Sequence, residues 1–552
     1  MVVRLGGLHM QRTGFLVLIS LVLGLAAGPA LAAGGVQGGF APRLIARDSA
    51  PRLAVLERVA VKQASKHSVL RGVPPASLFG ASPFGPAPSS LVQTAAAAAM
   101  PAPSVSFEGL DQTQQEAASG AASVPPDTDG DVGPNHYVQI VNTAIAIYNK
   151  SGTLLFGPVA THTLWAGMTN ACATHDDGDG IVLYDRFADR WVITQFALPP
   201  NPETPTKTLQ CMAVSKTGDP VSGGWYRYVI NEGAVFGDYP KLGIYRNGYY
   251  LSANLYSLSS GAFLGGGLFV MDRSRMLDPT LGAPRKPNTV RVPNVYGLIP
   301  ADVDGPTPPA AGRPGYYAAP LDLSTGDRIL LVKVTPNFTT GTPAMTKVRV
   351  PAGSFSLNLC NFGSNFACIP EPSPGERLDG LSGGQTMYRL VYLNQGGTEK
   401  LLITFSVKTA SGLAGERWAE LRNSPTGWAV FQQQTFAPAD GQNRWLGSIA
   451  MDKHSDIALG YSVSSATLAP SIRYAGRLAA DPPGKLSQGE GTLQAGTGVQ
   501  RNGANRWGDY SAMSIDPSDD CTFWYTNEYY PATTSFPLWH TRVGAFRFPS
   551  CT

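Results

Sequence analysis

The sequence predicts an all-β protein: a β-propeller of about seven blades, with six or eight also compatible with the spacing. Three observations carry this reading. Short β-patterned runs are joined in pairs by tight polar turns. The pairs open with motifs that match one another: Asn443-Arg444-Trp445 returns as Asn505-Arg506-Trp507, and Gly237-Asp238-Tyr239 returns as Gly508-Asp509-Tyr510. No long helical pattern separates the pairs, so a radial arrangement that protects sheet edges fits better than a parallel α/β sheet. Two or three β-sandwiches in series are the alternative, disfavoured by the near-identical motifs.

Residues 1–32 read as a signal peptide. They hold Arg4 and Arg12, the apolar run 15–25 (FLVLISLVLGL) and the small-x-small cleavage pattern Ala30-Leu31-Ala32. That run is too short to span a bilayer and no later run approaches ~18 residues, so no membrane span is expected. Residues 33–106, biased in Ala, Gly, Pro and Ser, read as a linker or pro-segment, with a short basic helix expected within 51–69 (PRLAVLERVAVKQASKHSV). Residues 107–552 are assigned to the propeller.

Composition narrows the function classes. Charged residues are 15% of the 552, against about 25% in an average domain. Beyond residue 32, 40 basic residues face 39 acidic ones, which gives no electrostatic reason to bind nucleic acid. Six cysteines in an exported chain indicate disulfides, and sequence proximity favours Cys172–Cys211, Cys360–Cys368 and Cys521–Cys551. Six buried free thiols are the other reading. A secreted or periplasmic monomer is expected.

The elements follow in order. Residues 105–110 (VSFEGL) are expected to supply the outer strand that closes the ring onto the last blade. The first blade offers strands at 136–142, 144–150 and 154–159. The second offers 181–185 and 191–198. The third offers 242–246 and 249–256 around the turn Asn247-Gly248, a strong hairpin signal. The fourth is the least regular, with 316–321 and 328–334 after Asp302-Val303-Asp304. The fifth has 387–393 and 401–407, the sixth 448–452 and 457–463. The seventh is the clearest: strand 511–515, a polar turn over 516–520, and the aromatic strand 521–529.

The stretches GPNHYVQIVNTAIAIYNKSG, GDYPKLGIY, RWLGSIAMD, ALGYSVSS, PSIRYAGRL and RWGDYSAMSIDPSDDCTFWYTNEYY, spread over roughly residues 125–551, carry a resemblance. They resemble an uncharacterised group of exported, mainly bacterial, β-propeller-like proteins. The resemblance implies secretion and a propeller fold. It brings no activity and no catalytic residue.

The candidate site rests on recurring acids at the head of five of the seven units: Asp179, Asp238, Asp302, Asp379 and Asp509, at intervals of 59, 64, 77 and 130 residues, the last spanning two units. In a propeller these positions meet at one rim of the channel, with Arg444 and Arg506 at the matching point of the last two blades. Carboxylates beside guanidinium groups orient sugars, or act as an acid and a base with pKa values pushed apart. The structural reading is that each Asp accepts backbone N–H groups of its own or the next blade. Asp127, Asp129 and Asp131 alternate like the start of a calcium loop, although Val132 and Val138 stand where an EF-hand has Gly and Glu. Calcium is therefore the one cofactor considered. The turns at Asp185, Asp452 and Asp516 are similar to the Asp-box of sialidases, with Ser518 in place of its Gly and the Trp displaced to Trp524. No HExxH, GxSxG, P-loop or dinucleotide motif is present.

Three functions follow from these readings. The first is binding of a carbohydrate or extracellular protein at the channel face. The second is a polysaccharide hydrolase or lyase using rim carboxylates and arginines. The third is a structural surface protein without a pocket.

Overall fold

The computed structural model describes residues 40–60, 91–94, 100–201, 205–360, 366–381, 384–501, 503–533 and 538–552. The expected signal peptide, 1–32, lies outside the described residues.

Among the described residues six sheets have at least four strands, and the nine-stranded one holds two blades, so seven blades are arranged radially as a propeller. The innermost strands of blades I to VII are Asp129–Val132, Ile181–Asp185, Val235–Tyr245, Ile299–Val303, Leu390–Gln395, Asn443–Met451 and Ala512–Ile515. They neighbour one another in cyclic order, VII returning to I. Within a blade the strands run antiparallel from the axis outward. Blades IV and V are also bonded directly, through parallel pairing of Ala301 with Leu390.

The ring closes as the sequence predicts. Val105–Asp111 pairs with His540–Phe546, Phe107 opposite Val543, and so forms the outer strand of blade VII. Tyr529 Oη donates to Glu108 Oε2 (2.9 Å) across this seam. Asp111 then caps the helix Gln112–Ser119, accepting from Gln114 N–H at 2.8 Å, which turns the chain away from the sheet.

Part of the expected linker is structured. Phe40–Ala50 pairs with Trp225–Gly233 as a fifth, outermost strand of blade II, and Val92–Gln93 adds to blade V. The alternation Phe40, Pro42, Leu44 and Ile45 is too sparse to announce a strand, and its edge position asks for little apolar surface. The expected helix is present as Leu53–Val59, with Leu53 and Leu56 buried; the remainder, 61–69, lies outside the described residues.

Other expectations shift by small amounts. The blade III hairpin turns at Arg246-Asn247, since Tyr245 pairs with Gly248. Gly248 is needed for packing rather than for the turn, because a Cβ there would collide with Val270. All three expected disulfides are present. Cys521–Cys551 ties the last blade to the C-terminus, and the set fits an oxidising compartment. No helix among the described residues is long and apolar enough to cross a membrane. At the Asp516 turn the displaced indole still reaches the acid, Trp524 Nε1 donating to Asp516 Oδ2 at 3.2 Å.

Candidate functional site

The innermost strands expose one edge to the axis, where no further strand can satisfy their N–H groups. Side chains of neighbouring blades do so. Val182 N–H donates to Asp129 Oδ2 and Tyr184 N–H to Asp131 Oδ2, both at 2.7 Å. Asp129 and Asp131 stand two apart on one strand face, which matches the two-residue step of their partners. Ile244 N–H donates to Asp302 Oδ1 (2.8 Å), Asp509 N–H to Asp127 Oδ1 (2.7 Å) and Met513 N–H to Ser448 Oγ (2.9 Å). These bonds lace blade I to II, III to IV, VI to VII and VII to I.

The remaining charge gathers in two clusters. The lower one lies towards the C-terminal ends of the inner strands and centres on Arg389. Its Nε donates to Asp302 Oδ2 (3.0 Å), Nη1 to the Met513 carbonyl (2.9 Å) and Nη2 to Asp304 Oδ1. Burial raises Asp302 to about 7 and Asp131 to about 6, with Arg389 opposing both shifts. A cavity of about 20 Å³, room for roughly one water, lies among Asp131, Asp302, Asp304 and Arg186.

The upper cluster lies where the inner strands begin and centres on Lys241. This side chain is 1% exposed, and its Nζ lies 3.7 Å from the Tyr239 ring centroid and 3.6 Å from that of Tyr510. It donates to the Pro240 carbonyl at 3.1 Å. Burial lowers its pKa, while Asp179, Asp127, Asp129 and Asp509 draw it back up. Burial in turn raises Asp127 well above the usual range, Asp129 to about 7 and Asp179 to about 6. Asn142 joins two of these acids, donating to Asp127 Oδ2 (2.8 Å) and accepting from Asp179 N–H (2.9 Å). Arg506 continues the cluster outward, at 3.1 Å from both Asp379 Oδ2 and Asp509 Oδ1.

The axis is filled at this level. Tyr239 of blade III meets Tyr510 of blade VII edge-to-face at 5.8 Å, although the two blades are not neighbours in the ring. Tyr388 of blade V donates to the Leu242 carbonyl of blade III (3.2 Å), and Tyr239 returns a bond to the Thr386 carbonyl (3.1 Å).

The residues expected at one rim therefore have different fates. Asp179, Asp509 and Arg506 converge, joined by Asp379 through Arg506. Asp302 lies inside its strand and belongs to the lower cluster. Asp238 is buried but out of register: Asp179 (φ 47°) matches Tyr239 (φ 54°), each two residues ahead of the aligned strand position. Arg444 turns away, bonding Glu490 Oε2 (2.8 Å) and Asp440 Oδ2 (2.7 Å). Its motif partner Trp445 still packs on Trp507, at 5.7 Å, so the two Asn-Arg-Trp copies share the indole position and not the guanidinium. Asp127, Asp129 and Asp131 are used in lacing. Among the described residues no group of three or more His, Cys, Asp or Glu is placed to hold a metal ion.

Sequence reasoning missed Lys241 and Arg389, lone cations inside otherwise apolar strand starts, which is their one visible signal. It also missed a set of buried glutamates. A Cβ on Gly237 would collide with Glu232 Oε2, and on Gly508 would come within 2.8 Å of Glu528 Oε2. The glycine of both Gly-Asp-Tyr copies is thus required by a glutamate beneath it. Gly447 has the same relation to Glu416.

No family model matches the chain, and no curated protein matches it. Among solved structures it is similar to a Hadza microbial sialidase, at 11% identity over 76% of this chain and 74% of that one, with a TM-score of 0.35. It is also similar to a Penicillium chrysogenum α-L-arabinanase complexed with arabinobiose, at 11% identity over 57% of this chain and 93% of that one, TM-score 0.30. A thermostable family-43 glycoside hydrolase matches at 11% identity over 57% and 89%, TM-score 0.22.

Proposed function

We propose that the chain is an exported carbohydrate-binding propeller whose ligand rests on the upper face, over Asp179, Asp509 and Arg506. The supporting observation is the filled axis. Tyr239, Lys241 and Tyr510 pack together across the axis, beside the partly exposed Arg506 and Asp509. Arg506 and Asp509 keep 20% and 11% of their side chains exposed, enough to hydrogen-bond sugar hydroxyls. The acids below them are held by backbone N–H groups, which suits fixed positioning more than proton transfer.

A second reading is favoured by Asp179, which burial raises to about 6 next to the Arg506-paired Asp509. An acid raised above its ordinary range beside a paired carboxylate is the arrangement of a glycoside hydrolase.

The test is a polysaccharide panel followed for both binding and new reducing or unsaturated ends. Binding that weakens in Asp509→Asn, with no product from the unaltered protein, supports the binding module. Product that disappears in Asp179→Asn or Asp509→Asn supports the hydrolase. Silence on both counts argues for a protein ligand or a structural role.

A further inference from the structure

A second cleft opens between blades IV and V, away from the upper cluster. Its volume is about 590 Å³, within the range of small-molecule sites, and its lining includes Arg313, Tyr316, Lys333, Glu399 and Asn423. Lys333 and Tyr316 are cross-strand neighbours on adjacent strands of blade IV. Glu399 is fixed from within: Tyr392 Oη donates to its Oε1 (2.8 Å) and Asn423 Nδ2 to its Oε2 (2.7 Å). Behind it Tyr316 stacks on Tyr392 at 6.3 Å and meets Trp428 edge-to-face at 5.1 Å. The wall is therefore rigid aromatic packing carrying a preset carboxylate.

The two cations are less engaged. Arg313 is 51% exposed and stands 3.7 Å from Glu399, an ion pair too long for a hydrogen bond. Lys333 has no carboxylate within 4 Å among the described residues.

We infer that this cleft binds a carboxylated sugar, the uronate-type unit of an acidic polysaccharide. The two cations take the carboxylate. Glu399 and the Asn423 Oδ1, whose amide nitrogen is already committed, accept from ring hydroxyls. The buried negative charge of Glu399 counts against a phosphate monoester, which carries more charge than a carboxylate. The inference stands independently of the upper-face reading, because it shares no residue with it.

The experiment is calorimetric titration with oligogalacturonate, oligoglucuronate and a neutral oligogalactan of equal length. Acidic oligomers are expected to bind, with affinity falling as salt rises. The neutral oligomer should bind at least about tenfold more weakly, a loss matched on the acidic ligand by Arg313→Ala or Lys333→Ala. Both side chains reach solvent, so thermal melting of the variants should match the unaltered protein and exclude misfolding. The inference is overturned by equal binding of the neutral oligomer, by unchanged affinity in the Arg313→Ala, Lys333→Ala double variant, or by no binding of either acidic oligomer. Binding lost only in Asp509→Asn also overturns it, while leaving the upper-face reading intact.

Discussion

At the lower end of the axis Arg389 donates to two carboxylates and a carbonyl, whereas at the upper end Lys241 has no carboxylate within 4 Å among the described residues and lies between two tyrosine rings. Both ends bury several aspartates around one cation. The difference lies in how the cation is matched. A guanidinium has a planar fork of donors and stays charged, so it can satisfy Asp302 and Asp304 together. An ammonium is compact and loses its proton more readily when buried, and at Lys241 the ring faces supply what fixed carboxylates do not. The lower end therefore behaves as a rivet. Acids at both ends are raised towards neutrality, and at the upper end the cation among them has no carboxylate within 4 Å among the described residues.

Replacement of Arg389 should have the largest effect. Arg389→Met leaves Asp302 and Asp304 buried without their partner, at a cost of about 3–5 kcal/mol. Urea unfolding measures it; a loss under about 1 kcal/mol would dissolve the contrast between the two ends.

Glu232 offers a third setting, a fully buried carboxyl with neither fork nor ring. Burial lifts it from 4.5 to about 8. The folded chain thus keeps a proton that the unfolded chain releases, so stability present below about pH 4.5 drains away as pH rises towards 8. Glu232→Gln should remove that slope. Its stability relative to the unaltered protein should improve between pH 5 and pH 8, by on the order of a few kcal/mol at most. Melting curves across this range check the sign.

Lys241→Met comes next. Because Lys241 bonds no carboxylate among the described residues, and Asp129 and Asp179 are raised towards neutrality, its loss breaks no direct ion pair and should cost only about 1–2 kcal/mol at pH 7. The loss should shrink at pH 5, where those acids are neutral in either protein. Growth of the loss at pH 5 would mean that Lys241 has a role unrelated to the acids. Asp509→Asn should be nearly silent in stability, within about 0.5 kcal/mol.

Much of the fold was legible because β-runs and their turns are local. The aromatic strand of blade VII, the ring-closing strand at 105–110 and all three disulfides follow from short-range pattern. The inner strand of blade I was not legible. Asp129-Gly130-Asp131-Val132 has no β propensity of its own; it is held by donors from Val182 and Tyr184 of the next blade. The site was legible only in part for the same reason. Asp179, Asp509 and Arg506 share motif positions and do converge. Arg444 shares its motif with Arg506, yet Glu490 and Asp440 draw it elsewhere, and neither partner lies in the repeat. Equivalence of sequence position fixes where a backbone goes, and the nearest opposite charge then decides where a long side chain ends.

The most direct test of this account compares Asp302→Asn with Asp509→Asn in parallel, following unfolding, glycan binding and glycan cleavage. The expected result is a crossed pattern. Asp302→Asn lowers stability and leaves binding unchanged, Asp509→Asn weakens binding and leaves stability unchanged, and neither protein nor its parent releases product. Cleavage by the parent that is lost in Asp509→Asn would contradict it and make the upper cluster a catalytic centre.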